Sequence, residues 1–165
     1  MKHFISLKDL PSFQEAVNLA KSLKQNPYEF EAQGKRKTLG LLFFNPSLRT
    51  RMSSQKAAYN LGMNVITMNV GSDGWQLETE EGAIMNGGKA EHIKEAAMVM
   101  SAYCDVIGIR CFAGLEDKAE DDAEKVLMGF MKFATVPIIN LESSTLHPLQ
   151  SFADLITIES FKKVQ

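Results

Sequence analysis

The chain is expected to fold as an α/β domain, a doubly wound, mainly four-stranded parallel sheet with helices on both faces. Three observations carry this expectation. Apolar runs of strand length recur four times, at TLGLLFF (38–44), most of NVITMNV (64–70), VIGIRCF (106–112) and VPIINLE (136–142), and runs without polar alternation suit strands covered on both sides. Apolar residues at helical spacing fill the intervals between them. Strand alternating with helix four times in succession calls for covering, right-handed crossovers between parallel neighbours.

In chain order, Phe13, Ala16, Val17, Ala20 and Leu23 line one face of a first helix, which Pro27 closes. The first strand follows and ends in Asn-Pro-Ser, a helix-start signal, before a helical pattern over 52–61. After the second strand, residues 71–89 hold five of the eleven glycines and Trp75, the only tryptophan, with neither period clean; irregular stretches of this length in compact domains are usually functional or mobile. Ile93, Ala96, Ala97 and Met100 mark the next helix and lead into the third strand. The acidic stretch 116–124 reads as a solvated loop entering a helix with Ala123, Val126, Leu127 and Phe130 on its inner face. Beyond the fourth strand, a last helix begins near His147 and carries Leu149, Phe152, Ala153 and Ile156.

A chain of 165 residues, 45% hydrophobic and 23% charged, suits one domain that buries roughly 70% of its unfolded surface without covalent staples. A net charge of −2 argues against a general nucleic-acid or membrane-surface binder. Cys104 and Cys111 lie in or beside an apolar run, without metal-ligand spacing, and read as buried reduced thiols. His3 and His92 have no convergent partners and read as surface residues. The first residues lack the apolar core of a signal peptide and no run approaches 18 apolar residues, so the expected location is the cytoplasm.

In sheets of this kind ligands collect beyond the C-terminal strand ends, which singles out 45–51, 71–89, 110–113 and 142–150. At Ser47-Leu48-Arg49-Thr50-Arg51 the chain places a hydroxyl, unpaired backbone N–H groups and guanidiniums at a helix N-terminus, where the dipole favours anions. No Walker-type glycine loop accompanies them, which disfavours triphosphate chemistry. The plain alternative is a capped helix whose arginines pair with nearby acids. Arg110 stands near the end of an apolar strand and needs a partner, either an anion or an acid such as Glu116 or Asp117. His147-Pro148-Leu149-Gln150 opens the last helix with Pro at its first position; His147 and Gln150 share a face, and the imidazole is either a donor to a carbonyl oxygen or an ordinary cap.

The ordered set SLRTR, an arginine at a strand end in IGIRCF, and HPLQSFAD, spread over positions 47 to 154, resembles the carbamoyl-phosphate domain of the aspartate and ornithine transcarbamylase family. Within that family the loop GSDGWQLETEEGAIMNGGKAEHIKEA, with Glu142 upstream of HPLQ, is most similar to the branch acting on N-acylated ornithines. The resemblance implies that Ser47, Leu48, Arg49 and Thr50 hold the phosphate of carbamoyl phosphate. It also implies that Arg110 bridges toward the carbonyl end, that His147 and Thr50 bond the carbonyl oxygen, and that Gln150 bonds the carbamoyl nitrogen. Arg110, His147 and Thr50 would then act in catalysis as charge grows on that oxygen.

By the same resemblance the enzyme is a homotrimer of arginine biosynthesis, with Trp75 reaching a neighbouring subunit's site and Glu142 beside the acceptor. It calls for no cofactor and no metal. Ala90 stands where relatives differ by acyl preference; the missing carboxylate favours N-succinylornithine over N-acetylornithine. Residues 1–150 would form the carbamoyl-phosphate domain and 151–165 the start of a linking helix, the ornithine-binding domain being absent. Such a half alone is expected to be inactive, because acceptor orientation supplies much of a two-substrate rate. The alternatives are an ordinary ornithine carbamoyltransferase and a non-catalytic anion-binding or oligomerisation module.

Overall fold

The structure is a computed structural model that describes residues 2–71, 76–79 and 91–162. Helix α1, Phe13–Gln25, is capped by the Ser12 hydroxyl, which accepts from the Glu15 amide. Strand β1, Thr38–Phe43, leads through Asn45-Pro46-Ser47 into α2, Leu48–Asn60. Gly62, at φ 73°, supplies the left-handed residue that closes α2 and passes so close to the Glu31 carbonyl that a side chain would collide with it. Strand β2, Asn64–Asn69, follows; the two-residue strands β3, Leu77–Glu78, and β4, Glu91–His92, pair separately. Helix α3 is Ile93–Tyr103, β5 Val106–Cys111, α4 Lys118–Ala123, α5 Lys125–Phe133, β6 Ile138–Ser143 and α6 Pro148–Phe161.

The main sheet has the order β2-β1-β5-β6 and is parallel throughout. The chain leaves β1 toward β2 on one side and β5 toward β6 on the other, so the topological switch point falls between the ends of β1 and β5. Phe43 and Arg110 are register partners there. The expected four-stranded parallel architecture is the one found, and strand limits agree within two residues.

The two faces are unequally covered. On one, Leu42, Ile107, Ile109 and Ile138 pack against Ile93, Ala97 and Met100 of α3 and Leu127 and Phe130 of α5. On the other, Leu39, Leu41, Phe43 and Leu141 meet Ala58 of α2, and a cavity of about 680 Å³ lies over the sheet between α2 and α6. Helix α1 packs on α6 through an edge-to-face Phe13–Phe152 contact, centroids 5.8 Å apart, and a Lys21–Glu159 ion pair at 3.0 Å.

Four details differ from the sequence reading. Strand β2 has no buried residue, since it is an edge rather than a doubly covered strand. The acidic stretch forms helix α4, and Glu124 at φ 44° breaks it from α5. His3 and His92 both accept backbone hydrogen bonds through Nδ1, from Ile138 and Lys94 respectively, rather than standing loose on the surface. Phe4, unassigned in sequence, bridges Ile139 and extends the sheet beyond β6, with its amide on the Ile138 carbonyl and its carbonyl taking the Asn140 amide, both at 2.8 Å. Among the described residues no helix is long and apolar enough to cross a membrane.

Candidate anion site at the sheet switch point

Three corners meet at the C-terminal edge of the sheet. The first is the start of α2. Ser47 caps this helix by accepting from the Thr50 amide at 3.2 Å, and thirteen residues of helix place an aligned dipole behind the exposed first turn. Arg49 is exposed and forms no hydrogen bond or ion pair with a described residue. Arg51 is committed elsewhere: its guanidinium donates to the Asn69 side chain and lies 4.6 Å over the Phe43 ring, cross-linking α2 to the ends of β1 and β2.

The second corner is the end of β5. Arg110 is buried, 8% exposed, and its Nη1 donates to the carbonyls of Asn45 and Pro46, each at 3.0 Å. Its Nη2 lies 2.9 Å from Glu142 Oε2, and the guanidinium stacks 4.7 Å over Phe112. A register shift makes the ion pair possible: Ile109 faces Asn140 but Arg110 faces Glu142, so β6 carries one extra residue at that point. A bulge of this kind re-aims side chains beside functional edges. The acid partner is therefore Glu142, not Glu116 or Asp117.

The third corner follows β6. His147 precedes Pro148 at the head of α6 but makes no side-chain cap. Its Nε2 lies 3.8 Å from Glu142 Oε2. Its Nδ1 and the Nε of Arg110 are buried without hydrogen-bond partners among the described residues, as are the Oδ1 atoms of Asn60 and Asn140. Gln150 turns its amide outward to Asp154 at 2.7 Å. Arg49, Thr50, His147 and Gln150 nonetheless line one cavity, the one floored by Leu39, Ile139 and Leu141.

The geometry thus brings Arg49, Thr50, His147 and Gln150 to a common cavity; Ser47 and Leu48 adjoin it at the start of α2 without lining it, and Arg110 and Glu142 tie the first corner to the third. Trp75 and Ala90 lie outside the described residues. The sequence reading missed Asn45, whose side chain accepts from the Phe112 amide at 3.0 Å and holds the β1 and β5 loops together; its place before Pro46 is the signal that pointed to it.

Residues 2–160 match the family model described as aspartate/ornithine carbamoyltransferase, carbamoyl-P binding domain. The chain belongs to the aspartate/ornithine carbamoyltransferase family. It is 47% identical over 163 residues to N-succinylornithine carbamoyltransferase of Bacteroides thetaiotaomicron, a match covering 99% of this chain and 51% of the relative. It is 36% identical to N-acetylornithine carbamoyltransferase of Xanthomonas campestris, covering 96% and 47%, and 34% identical to ornithine carbamoyltransferase of Shewanella oneidensis, covering 99% and 48%. A crystal structure of acetylornithine transcarbamylase complexed with acetylcitrulline superposes with a TM-score of 0.90 at 36% identity, over 98% of this chain and 48% of that one. The chain spans about half the length of the relatives it matches.

Proposed function

We propose that this chain is the carbamoyl-phosphate-binding half of an N-acylornithine carbamoyltransferase of arginine biosynthesis, with N-succinylornithine as the favoured acceptor. The observation that supports the reading most directly is that Arg49 and Thr50, in the first turn of α2, and His147, at the head of α6, line one cavity over the sheet face between those helices. The branch is supported by the ranking of relatives, 47% identity to a succinyl enzyme against 36% to an acetyl and 34% to an ornithine enzyme. A neighbouring structure, of a point mutant of N-acetyl-L-ornithine transcarbamylase, was solved complexed with carbamyl phosphate and N-succinyl-L-norvaline.

In this reading the helix amides, Ser47, Arg49 and Thr50 take the phosphate, and Thr50 and His147 face the carbamoyl oxygen. As the acceptor amine forms its new bond to the carbamoyl carbon, the carbon–oxygen bond to phosphate breaks. Phosphate departs with the bonding pair, and the surplus amine proton passes to phosphate or solvent. Charge growing on the carbonyl oxygen meets donors already in place, each typically worth 10²–10³-fold in rate. Gln150 donates through Nε2 to Asp154, which leaves its Oε1 to accept from the carbamoyl nitrogen. Arg110 works chiefly by holding the loops, leaving its Nε for the guest. The functional assembly is a cytoplasmic homotrimer in which Trp75 enters a neighbour's site and Ala90 faces the acyl tail.

Calorimetric titration of the chain with carbamoyl phosphate tests the binding role. Arg49→Ala should weaken binding about tenfold or more, the usual effect of losing a charge-assisted hydrogen bond; unchanged affinity would overturn the assignment. A full-length form assayed with ornithine, N-acetylornithine and N-succinylornithine tests the acceptor, and turnover with free ornithine alone would exclude the acylornithine reading.

A further inference from the structure

The His147 ring is not held by its own hydrogen bonds. Among the described residues its Nδ1 has no partner, its Nε2 is 3.8 Å from the Glu142 carboxylate, and its side chain makes no helix cap. Its direction must then come from the backbone that delivers it. That backbone is the turn 143–146, and the turn is tied from inside. Asn140 is fully buried on β6; its Nδ2 donates to Ser143 Oγ and to the Ile5 carbonyl, both at 3.1 Å, while its Oδ1 has no partner among the described residues. Ser143, itself buried, donates through Oγ to the Leu146 carbonyl at 3.3 Å and accepts from the Leu146 amide at 3.2 Å.

A serine hydroxyl has one proton and two lone pairs. Here all three are used, two of them on the peptide groups of the residue preceding His147. From outside, Glu124 Oε1 accepts from the Thr145 amide and hydroxyl at 3.0 and 2.9 Å.

We infer that Asn140 and Ser143 are positioning residues for His147: a buried amide–hydroxyl relay that presets the 143–146 turn, and through it the imidazole. An apolar pair would pack there at less desolvation cost; the polar pair selects one turn geometry. The Ile5 bond extends the relay to the N-terminal segment, so the segment bridged to β6 at Phe4 also braces the turn.

The inference rests on the proposed role of His147, and its test separates the two. In the chain as it stands, the ring signals of His147, assigned by loss in His147→Gln, are recorded by NMR without ligand. Calorimetry then gives affinities for carbamoyl phosphate and for inorganic phosphate. In Ser143→Ala the His147 ring signals should move toward their positions in the urea-unfolded chain. Carbamoyl phosphate affinity should fall about tenfold, while inorganic phosphate, held at the start of α2, stays within about twofold. Ser143→Thr should restore both values. Should Ser143→Ala not fold, Ser143→Cys keeps the volume with a poor hydrogen-bonding group and carries the same test.

Unchanged ring signals, or equal losses for the two anions, would overturn the relay. If the wild-type chain binds the two anions alike while the ring signals still respond to Ser143→Ala, the relay stands and the carbamoyl role of His147 falls.

Discussion

Removing Glu142 should expose how much the site depends on one ion pair. The Arg110 side chain is 10% exposed and that of Glu142 27%, so Glu142→Ala leaves a nearly desolvated guanidinium with its Nη2 bare. Stranding a buried charge costs about 3–5 kcal/mol, and the partial exposure of Glu142 places this case at about 3. At roughly 2–4 °C per kcal/mol for a chain of this size, the melting temperature should fall by roughly 6–12 °C. Circular dichroism melts of the wild type, Glu142→Ala, Arg110→Ala and the double variant give a coupling energy, expected near 2 kcal/mol or above, roughly the upper part of the range for residues in contact.

Inorganic phosphate adds a functional readout to the same series. The freed Nη2 should take an oxyanion, so phosphate should raise the melting temperature of Glu142→Ala by more than it raises that of the wild type. A fall of less than about 2 °C, or additive single and double costs, would refute the view that this pair holds the three corners together.

Acidification should loosen the N-terminal strand. Burial and Lys2 lower the His3 pKa below 6.5, against a smaller opposing pull from Asp9, so its contribution to stability is present above that value and is lost as pH falls through the depressed one. Hydrogen exchange at the Ile138 amide, which donates to His3 Nδ1, should then accelerate below pH 6.5 after correction for intrinsic rates, and pH-independent protection would contradict this. Burial, with Glu124 and Asp121 adding to it, pushes the Cys111 thiol up from 9.0 to about 11. At pH 8 the folded chain should alkylate there about 100-fold more slowly than the urea-unfolded chain on ionisation alone, and stability should decline as pH rises from 9 toward 11; rates equal in both states would refute the shift. Gly40→Ala would set a methyl 2.7 Å from Cys104 Sγ and 3.0 Å from Met100 Cε. Overpacking of this order costs about 1–3 kcal/mol, so a urea midpoint at or above wild type would show that α3 yields more easily than its packing implies.

The fold was readable because its signals are local and redundant. Four apolar runs and the helical spacing between them each point to the same parallel sheet, and no single residue decides it. Readings failed where the deciding partner is distant in sequence. β2 reads as a covered run like β1, but it carries Asn at both ends and Thr67 within, and its place at the sheet edge leaves it without a buried residue. The Phe4 bridge depends on an unoccupied edge of β6, more than 130 residues away in the chain. Glu124 interrupts a continuous helical pattern, and its carboxylate serves Thr145 instead.

The same distinction runs through the site. Sequence could name Arg49, Arg51, Arg110 and His147 as chemistry-bearing, since each stands at a strand end or helix start, but not which of them the protein keeps for itself. Arg51 and both Nη groups of Arg110 are answered internally, by Asn69, by two loop carbonyls and by Glu142. Arg49 and two buried nitrogen atoms, Arg110 Nε and His147 Nδ1, have no partner among the described residues. A site with every cation satisfied would have to break ion pairs to bind, and one with none satisfied would repel its own corners apart. The division found here avoids both: the internal pairs tie the loops after β1, β5 and β6 together, and Arg49 and His147 are left to line one cavity. On the proposed reading, a small guest carrying both a phosphate and a carbonyl would meet Arg49 and the His147 imidazole without breaking the Arg110–Glu142 pair.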